Sequence, residues 1–283
     1  METLNITTSD DFSIGATLYP AASGGSGALV VIAGATGVPQ RFYRRLATWL
    51  SARGLTVLTA DYRGIGASAP ASLRGFQADY LDWAERDLAA CVDWAADRGP
   101  TVVIGHSFGG HAYGLLPNVS RTLGLYTFAT GAGWYGHMAP QHQVRALAMW
   151  HLLGPPLTTA YGYLPSHLVG LGEDLPLGVY KQWKRWCAFP RYFFEDSDYN
   201  MVAQFDRVTQ PVVGVNSVDD DLAPPSSAEA FLTGYRRAEL DLQTVTPDVL
   251  GGAIGHLGYV RPEASALWPG VLAFVDRVVR RVA

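Results

Sequence analysis

Short apolar runs alternate with amphipathic segments along most of this chain. Runs rich in aliphatic and β-branched residues predict β-strands at 12–19, 28–32, 55–60, 101–104, 123–128, 211–215 and 240–245. Apolar residues at helical spacing predict helices at 41–53, 79–98 and 263–282. The run at 28–32 is apolar throughout, as expected for a strand buried on both faces. The pattern therefore predicts an α/β fold, with a mostly parallel, doubly wound sheet that helices cover on both faces.

Two stretches interrupt this alternation. Residues 21–27 are rich in glycine and serine, which predicts a flexible turn. Residues 133–205 lack strand-like runs and contain many aromatic residues between Gly-Pro breaks. We interpret 133–205 as an inserted helical lid on a core formed by 1–132 and 206–283, although ordinary helical packing would give the same pattern. If the insertion covers a pocket, its tryptophans are candidate substrate contacts, namely Trp134, Trp150, Trp183 and Trp186.

Composition and charge narrow the choice of function. The 283 residues are 48% hydrophobic and 16% charged, which is typical of a globular chain with a large core. The net charge is −4 and basic residues occur in pairs at most, so we expect no nucleic-acid partner. No apolar stretch reaches the ~18–20 residues of a membrane span, and the N-terminus does not resemble a signal peptide. We therefore expect a cytoplasmic protein without integral membrane association, and a homodimer stays open.

Potential metal and thiol chemistry is limited in this sequence. The two cysteines are Cys91 and Cys187, and Cys91 lies in line with apolar residues at helical spacing, which predicts a core position. No HExxH motif occurs, and the run Asp219–Asp221 lacks the pattern of an EF-hand loop. We expect neither a metal site nor a cofactor.

The motif Gly105-His106-Ser107-Phe108-Gly109 follows a predicted strand and precedes a helix-compatible segment. A sharp strand-to-helix turn places its apex residue in a strained backbone conformation and requires small neighbours two positions away on each side. The apex hydroxyl then projects at the carboxyl end of the sheet, beside a helix N-terminus. The motif predicts Ser107 as a nucleophile.

A serine hydroxyl needs a base, and the base needs an acid that orients it. The loop after the strand at 211–215 contains three consecutive aspartates, of which Asp220 fits the pattern Asp-x-x-(Val/Ala)-Pro; Asp219 and Asp221 remain alternatives. His256 is the only histidine beyond these aspartates and lies in a glycine-rich loop before the last helix. We therefore predict the order Ser107, Asp220, His256.

Two backbone N–H groups should stabilise the oxyanion of an acyl-transfer intermediate. Phe108 supplies one because it follows the nucleophile. The small residues of the loop 33–37 supply the other, with Ala35 as first choice and Thr36 as second. Thr36, Leu257 and His106 are further candidate substrate contacts, although the His106 side chain is expected to point away from the site and to pack.

Taken together, these motifs resemble the α/β-hydrolase superfamily over nearly the whole chain. The segment DYRGIGAS at 61–68 resembles a turn found in many members, and Gly34 occupies the second position of the usual His-Gly pair, with Ala33 in place of the histidine. The segments GVPQRFY and GHLGY are similar to those of bacterial serine hydrolases with helical lids. The resemblance implies a cofactor-independent Ser–His–Asp hydrolase.

Three functions fit these residues. We expect cleavage of an ester-type bond in a small hydrophobic acyl or aryl substrate, through an acyl-enzyme. An acyltransferase or biosynthetic thioesterase would use the same acyl-enzyme with another acceptor. A non-catalytic ligand-binding protein would keep the fold without the chemistry.

Overall fold

A computed structural model of the protein describes residues 1–22, 27–249 and 251–282. The turn predicted at 21–27 lies largely outside the described residues. Among the described residues, no helix is long and apolar enough to cross a membrane.

The centre of the molecule is one eight-stranded sheet in the order β1-β2-β4-β3-β5-β6-β7-β8. Strand β2 pairs antiparallel with both of its neighbours, and every other pairing is parallel. The strands are β1 Glu2–Thr7, β2 Ser13–Tyr19, β3 Leu29–Ala33, β4 Thr56–Ala60, β5 Thr101–His106, β6 Leu125–Phe128, β7 Val212–Ser217 and β8 Leu240–Val245. The predicted mostly parallel sheet is confirmed.

Helices cover both faces of this sheet and form two apolar cores. On one face, α1 (Arg44–Ser51) and the C-terminal α10 (Trp268–Arg280) pack against side chains such as Ile32 and Ile104. On the other face, α3 (Ala89–Ala96), α4 (Phe108–Tyr113) and α9 (Pro225–Leu232) pack against the alternate side chains of the same strands. Because helices cover both faces of the sheet, every residue of β3, β5 and β7 is buried, which explains why these strands are mostly apolar along their length.

Two predicted helices are interrupted by other helical geometry. The helix predicted at 79–98 begins as α2 (Tyr80–Asp82), continues as a π-helical turn (Trp83–Leu88) and ends as α3. The C-terminal helix begins with a 3-10 segment (Pro262–Leu267) before α10. In both places the chain is helical as predicted, and only the hydrogen-bond pattern differs.

Between β6 and β7 the chain is helical and forms no named strand within 133–205, all of which the structure describes. An isolated bridge joins Leu164 and Leu175. The α-helices are α5 Pro140–Leu147, α6 Gly154–Tyr161, α7 Leu177–Trp186 and α8 Met201–Phe205, and a π-helical turn, Ala148–Leu153, links α5 to α6. Whether this segment acts as a lid stays a prediction.

Candidate active site

Ser107 occupies a sharp turn between β5 and α4. Its backbone has φ 53° and ψ −109°, a region that side-chain-bearing residues rarely adopt. The flanking glycines allow this turn, because a Cβ on Gly109 would lie 2.1 Å from the Ala33 carbonyl oxygen. A Cβ on Gly105 would lie 2.8 Å from the Gly110 nitrogen. Glycine is therefore required at both positions by close backbone approach.

The fold brings three distant side chains into one hydrogen-bonded row. Ser107 Oγ lies 2.9 Å from His256 Nε2. On the other side of the ring, His256 Nδ1 lies 2.9 Å from Asp220 Oδ1 and 3.1 Å from Oδ2. All three come from loops at the carboxyl edge of the sheet. In this geometry the serine hydroxyl can donate to the imidazole while the opposite N–H donates to the carboxylate.

Each of the three consecutive aspartates has a different partner. Asp220 bonds to His256, whereas Asp219 accepts the Ile254 N–H at 2.8 Å and pairs with the Ser217 hydroxyl. The side chain of Asp221 is exposed and lies 3.1 Å from His142 Nε2. Among these three carboxylates, the one predicted from the Asp-x-x-(Val/Ala)-Pro pattern is therefore the one that contacts His256.

Asp220 is held in its ionised form. Burial alone would raise the pKa of this carboxyl. The electrostatic attraction of His256 and its hydrogen bond to the carboxylate outweigh the effect of burial, so the pKa lies below its usual value. The backbone N–H groups of Ala223 and Leu222 donate to the same carboxylate at 2.9 and 3.0 Å. The Tyr259 hydroxyl adds a bond of 3.3 Å. These donors fix the orientation of Asp220 toward the imidazole.

Ala35, the first choice of oxyanion donor in the loop 33–37, has a competing hydrogen-bond partner. Its N–H already donates to the Tyr43 hydroxyl oxygen at 2.7 Å, in a buried position. Among the described residues, no acceptor pairs with the N–H of Thr36 or of Phe108. The structure therefore leaves the second choice, Thr36, as the candidate donor in this loop. The sequence could not reveal this difference because it depends on where the Tyr43 hydroxyl lies.

His106 points away from Ser107, as predicted, and is buried. Its Nε2 donates to the backbone carbonyl of His256 at 2.8 Å, and its Nδ1 lies 2.9 Å from the Tyr43 hydroxyl. Burial, together with the nearby His256, lowers its pKa to about 4, so the ring is neutral near pH 7. Its role as a substrate contact is therefore corrected to one of support for the loop that carries His256.

A cavity of about 370 Å³ opens beside Ser107 and His256. Most of its wall is apolar, and much of it comes from 133–205. The lining residues are Ser107, His111, Ala129, Gly131, Gly133, Met138, His142, Arg145, Ala146, Met149, Trp150, Leu171, Trp183, Cys187, Tyr192, Asp221, Leu222, Ala223 and His256. No three or more His, Cys, Asp or Glu side chains cluster as metal ligands in the described part of the chain.

The predicted substrate contacts divide into two groups. Trp150 and Trp183 line the cavity, whereas Trp134, Trp186, Thr36 and Leu257 are not part of its wall. Trp186 does not reach the cavity because its side chain is fully buried in the core, where its indole N–H donates to Asp196 at 3.0 Å. Cys187, next to it, does line the cavity.

Several further cavity residues follow a helical pattern that is visible in the sequence and was not among the predicted contacts. His142, Arg145, Ala146 and Met149 recur at intervals of three and four, and all four line the cavity. They lie on the inner face of α5 and the π-helical turn after it. A prediction based on aromatic residues alone favours tryptophan and does not include these four residues.

Comparisons with known proteins bear on the fold that carries this site. The family described as "Serine aminopeptidase, S33" matches residues 26–148. None of the curated proteins compared with the chain matches it. Among solved structures, a monoglyceride lipase of Saccharomyces cerevisiae superposes with a TM-score of 0.67 at 16% identity, covering 98% of this chain and 94% of the other.

Two esterases give similar values. An esterase of Pyrococcus furiosus has a TM-score of 0.64 at 16% identity, with 98% of this chain and 90% of the other covered. A thermophilic esterase from Thermogutta terrifontis has a TM-score of 0.61 at 16% identity, with 98% and 99% covered. These matches, together with the strand order and the Ser107 turn, confirm the resemblance that the sequence motifs indicated: this chain has the α/β-hydrolase fold.

Proposed function

We propose that this protein is a serine hydrolase that cleaves an ester-type bond in a hydrophobic acyl or aryl substrate. The observation that carries the proposal is the row Ser107–His256–Asp220, with 2.9 Å at each of its two junctions, at the edge of a largely apolar cavity. The names of the structural neighbours, an esterase and a monoglyceride lipase among them, support ester chemistry.

In the first half of the proposed reaction, Ser107 Oγ attacks the substrate carbonyl carbon while His256 Nε2 takes the hydroxyl proton. Asp220 stabilises the imidazolium that forms. The N–H groups of Phe108 and Thr36 bind the oxyanion. The intermediate then collapses. The bond between the acyl carbon and the alcohol oxygen of the ester breaks, and His256 gives the proton to the departing alcohol. The acyl group remains on Ser107.

In the second half, water takes the place of the alcohol. His256 removes a proton from water as its oxygen attacks the acyl carbon, and the same two N–H groups bind the new oxyanion. Collapse of this intermediate returns the proton to Ser107 Oγ and releases the carboxylic acid. Both halves use one base and one oxyanion site, so a single geometry serves the complete cycle.

The substrate class follows from the cavity. Side chains such as Met149, Trp150 and Trp183 provide apolar surface that a hydrocarbon or aryl group would cover. Burial of apolar surface from water contributes a favourable free energy of roughly 25 cal/mol per Å². Because many of these side chains come from 133–205, we further propose that this segment is the lid that determines which acyl groups fit.

The test is hydrolysis of a p-nitrophenyl ester series, from acetate to long acyl chains, by the wild type and by Ser107→Ala. We expect turnover that depends on Ser107 and has a clear optimum of chain length. An added alcohol or amine acceptor tests the acyltransferase alternative, since acyl transfer would divert product from free acid to the acceptor. Absence of turnover on esters and thioesters alike would favour the non-catalytic binding protein.

A further inference from the structure

Arg145 brings a positive charge to the mouth of the candidate active-site cavity. It lies on the same face of α5 as His142 and Ala146, and all three line the cavity. Arg145 is exposed, whereas Met149, one turn further along the same face, is buried. The stripe therefore leads from the opening, where Arg145 lies, into the apolar interior.

The guanidinium of Arg145 has no acidic partner among the described residues. The other arginine in the helices of this segment, Arg185, is bound by Asp196 at 2.6 Å and also by Asp198. Among the described residues that line the cavity, the one carboxylate is that of Asp221, which lies 3.1 Å from His142 Nε2. Arg145 is thus the available cation at this opening.

We propose that Arg145 is a specificity residue that binds a carboxylate on the substrate, at the end remote from the scissile ester. The proposal rests on the proposed hydrolase function. A planar guanidinium offers paired N–H donors that match the two oxygens of a carboxylate. The substrate class would then be a monoester of a dicarboxylic acid, or an ester with an acidic group on its alcohol part, with an apolar spacer between the two ends.

A single negative charge fits this cavity better than a dianionic phosphate. Arg145 is the sole lysine or arginine among the described residues that line the cavity. The carboxylate of Asp221, which lines the same cavity, would repel additional negative charge. The apolar wall between Ser107 and the mouth suits a chain of methylene groups. This refines the expectation of a hydrophobic acyl or aryl substrate: the middle of the substrate is apolar, and one end is charged.

The experiment compares monomethyl and dimethyl esters of the dicarboxylic acids from glutarate to sebacate. For the wild type, we expect the ratio of kcat/KM for the monoester over the diester to peak at one chain length. At that length, Arg145→Gln should lower the ratio about fivefold, as expected for a partly exposed ion pair, and Arg145→Lys should lower it less. The control Lys181→Gln removes an exposed cation outside this cavity and should leave the ratio unchanged.

A binding measurement separates failure of this proposal from failure of the hydrolase proposal. Ser107→Ala is titrated with the same esters, and quenching of tryptophan fluorescence reports binding because Trp150 and Trp183 line the cavity. Tighter binding of the monoester, lost in Ser107→Ala/Arg145→Gln, supports the carboxylate site even if the wild type hydrolyses neither ester. Equal affinity for both esters, or a ratio of kcat/KM that Arg145→Gln does not change, would overturn it.

Discussion

At the scale of single residues, the chemistry of the candidate active site depends on which polar atoms already have hydrogen-bond partners. Three adjacent aspartates are equivalent by composition, but only Asp220 contacts the imidazole of His256, at 2.9 Å. Likewise, Ala35 and Thr36 are neighbours in one loop, but the Tyr43 hydroxyl accepts the N–H of Ala35. The function of a residue at this site is therefore decided by its hydrogen bonds as much as by its type.

The aspartates provide the first prediction. Asp220→Asn should lower kcat by about ten-thousand-fold, because an amide cannot hold the imidazole in the required tautomer or stabilise its charged form. Asp219→Asn is the matched control, since its amide oxygen can still accept the Ile254 N–H. Steady-state kinetics on one p-nitrophenyl ester measures both. Comparable losses in the two variants would show that Asp220 has no special role.

The second prediction concerns Tyr43, a positioning residue. Its hydroxyl joins Ala35 N–H to His106, and His106 in turn donates to the carbonyl of His256. Tyr43→Phe leaves buried polar groups without partners, so the free energy of unfolding should fall by about 1–3 kcal/mol. We also expect kcat to fall more than KM rises, because the oxyanion loop and the His256 loop are both loosened.

Tyr180→Phe is the control for this experiment. The Tyr180 hydroxyl is buried and has no hydrogen-bond partner among the described residues, so its removal should cost little. Urea unfolding and ester kinetics of both variants make the comparison. If Tyr43→Phe behaves like Tyr180→Phe in both measurements, the proposed hydrogen-bond chain does not support the site.

At the scale of elements, the turn from β5 to α4 has little room for any substitution that adds a side chain. Because a Cβ on Gly109 would lie 2.1 Å from the Ala33 carbonyl oxygen, α4 cannot keep its place against β3 in Gly109→Ala. We expect the free energy of unfolding to fall by roughly 1–3 kcal/mol or more, together with loss of ester hydrolysis. Thermal unfolding followed by circular dichroism measures the first effect.

Gly252→Ala provides the comparison for that variant. A Cβ at this position meets no atom within 4 Å, and the backbone is not in the left-handed region. Its melting temperature should therefore stay near that of the wild type. A stable, active Gly109→Ala would contradict the account of the turn.

The elements also show what the sequence could and could not predict. The runs that became β3, β5 and β7 were recognisable because both faces of each strand are buried, which requires continuous apolar residues. Strand β1 was missed because it is an edge strand with mostly exposed residues, so little of it needs to be apolar. The cavity wall was predicted only in part, since packing decides that Trp186 is buried in the core while Arg145 lines the opening.

At the scale of the whole molecule, two buried histidines make stability depend on pH. Burial lowers the pKa of His106 to about 4 and that of His111 to about 3, from an ordinary value of 6.5. Below pH 6.5 the unfolded chain therefore takes up protons that the folded chain does not. The free energy of unfolding should fall as the pH drops from 6.5 to 4, by up to about 1.4 kcal/mol per pH unit for each histidine.

His111→Gln tests this dependence. The amide can still donate to the Gly131 carbonyl, as His111 Nε2 does at 2.8 Å, but it does not titrate. Urea unfolding between pH 6.5 and 4 should show a shallower loss of stability than in the wild type. His151→Gln, at an exposed position, is the control that removes a histidine without removing a buried one. An unchanged slope in His111→Gln would contradict the prediction.

The central claim is that parallel strands bring residues from distant parts of the chain to one edge, where Ser107 is made nucleophilic by His256. The most direct measurement is the intact mass of the protein after reaction with a fluorophosphonate, for the wild type, Ser107→Ala and His256→Ala. The account predicts one added label on the wild type, at Ser107 by peptide mapping, none on Ser107→Ala and much slower labelling of His256→Ala. An unlabelled wild type, or equal labelling of Ser107→Ala, would contradict it.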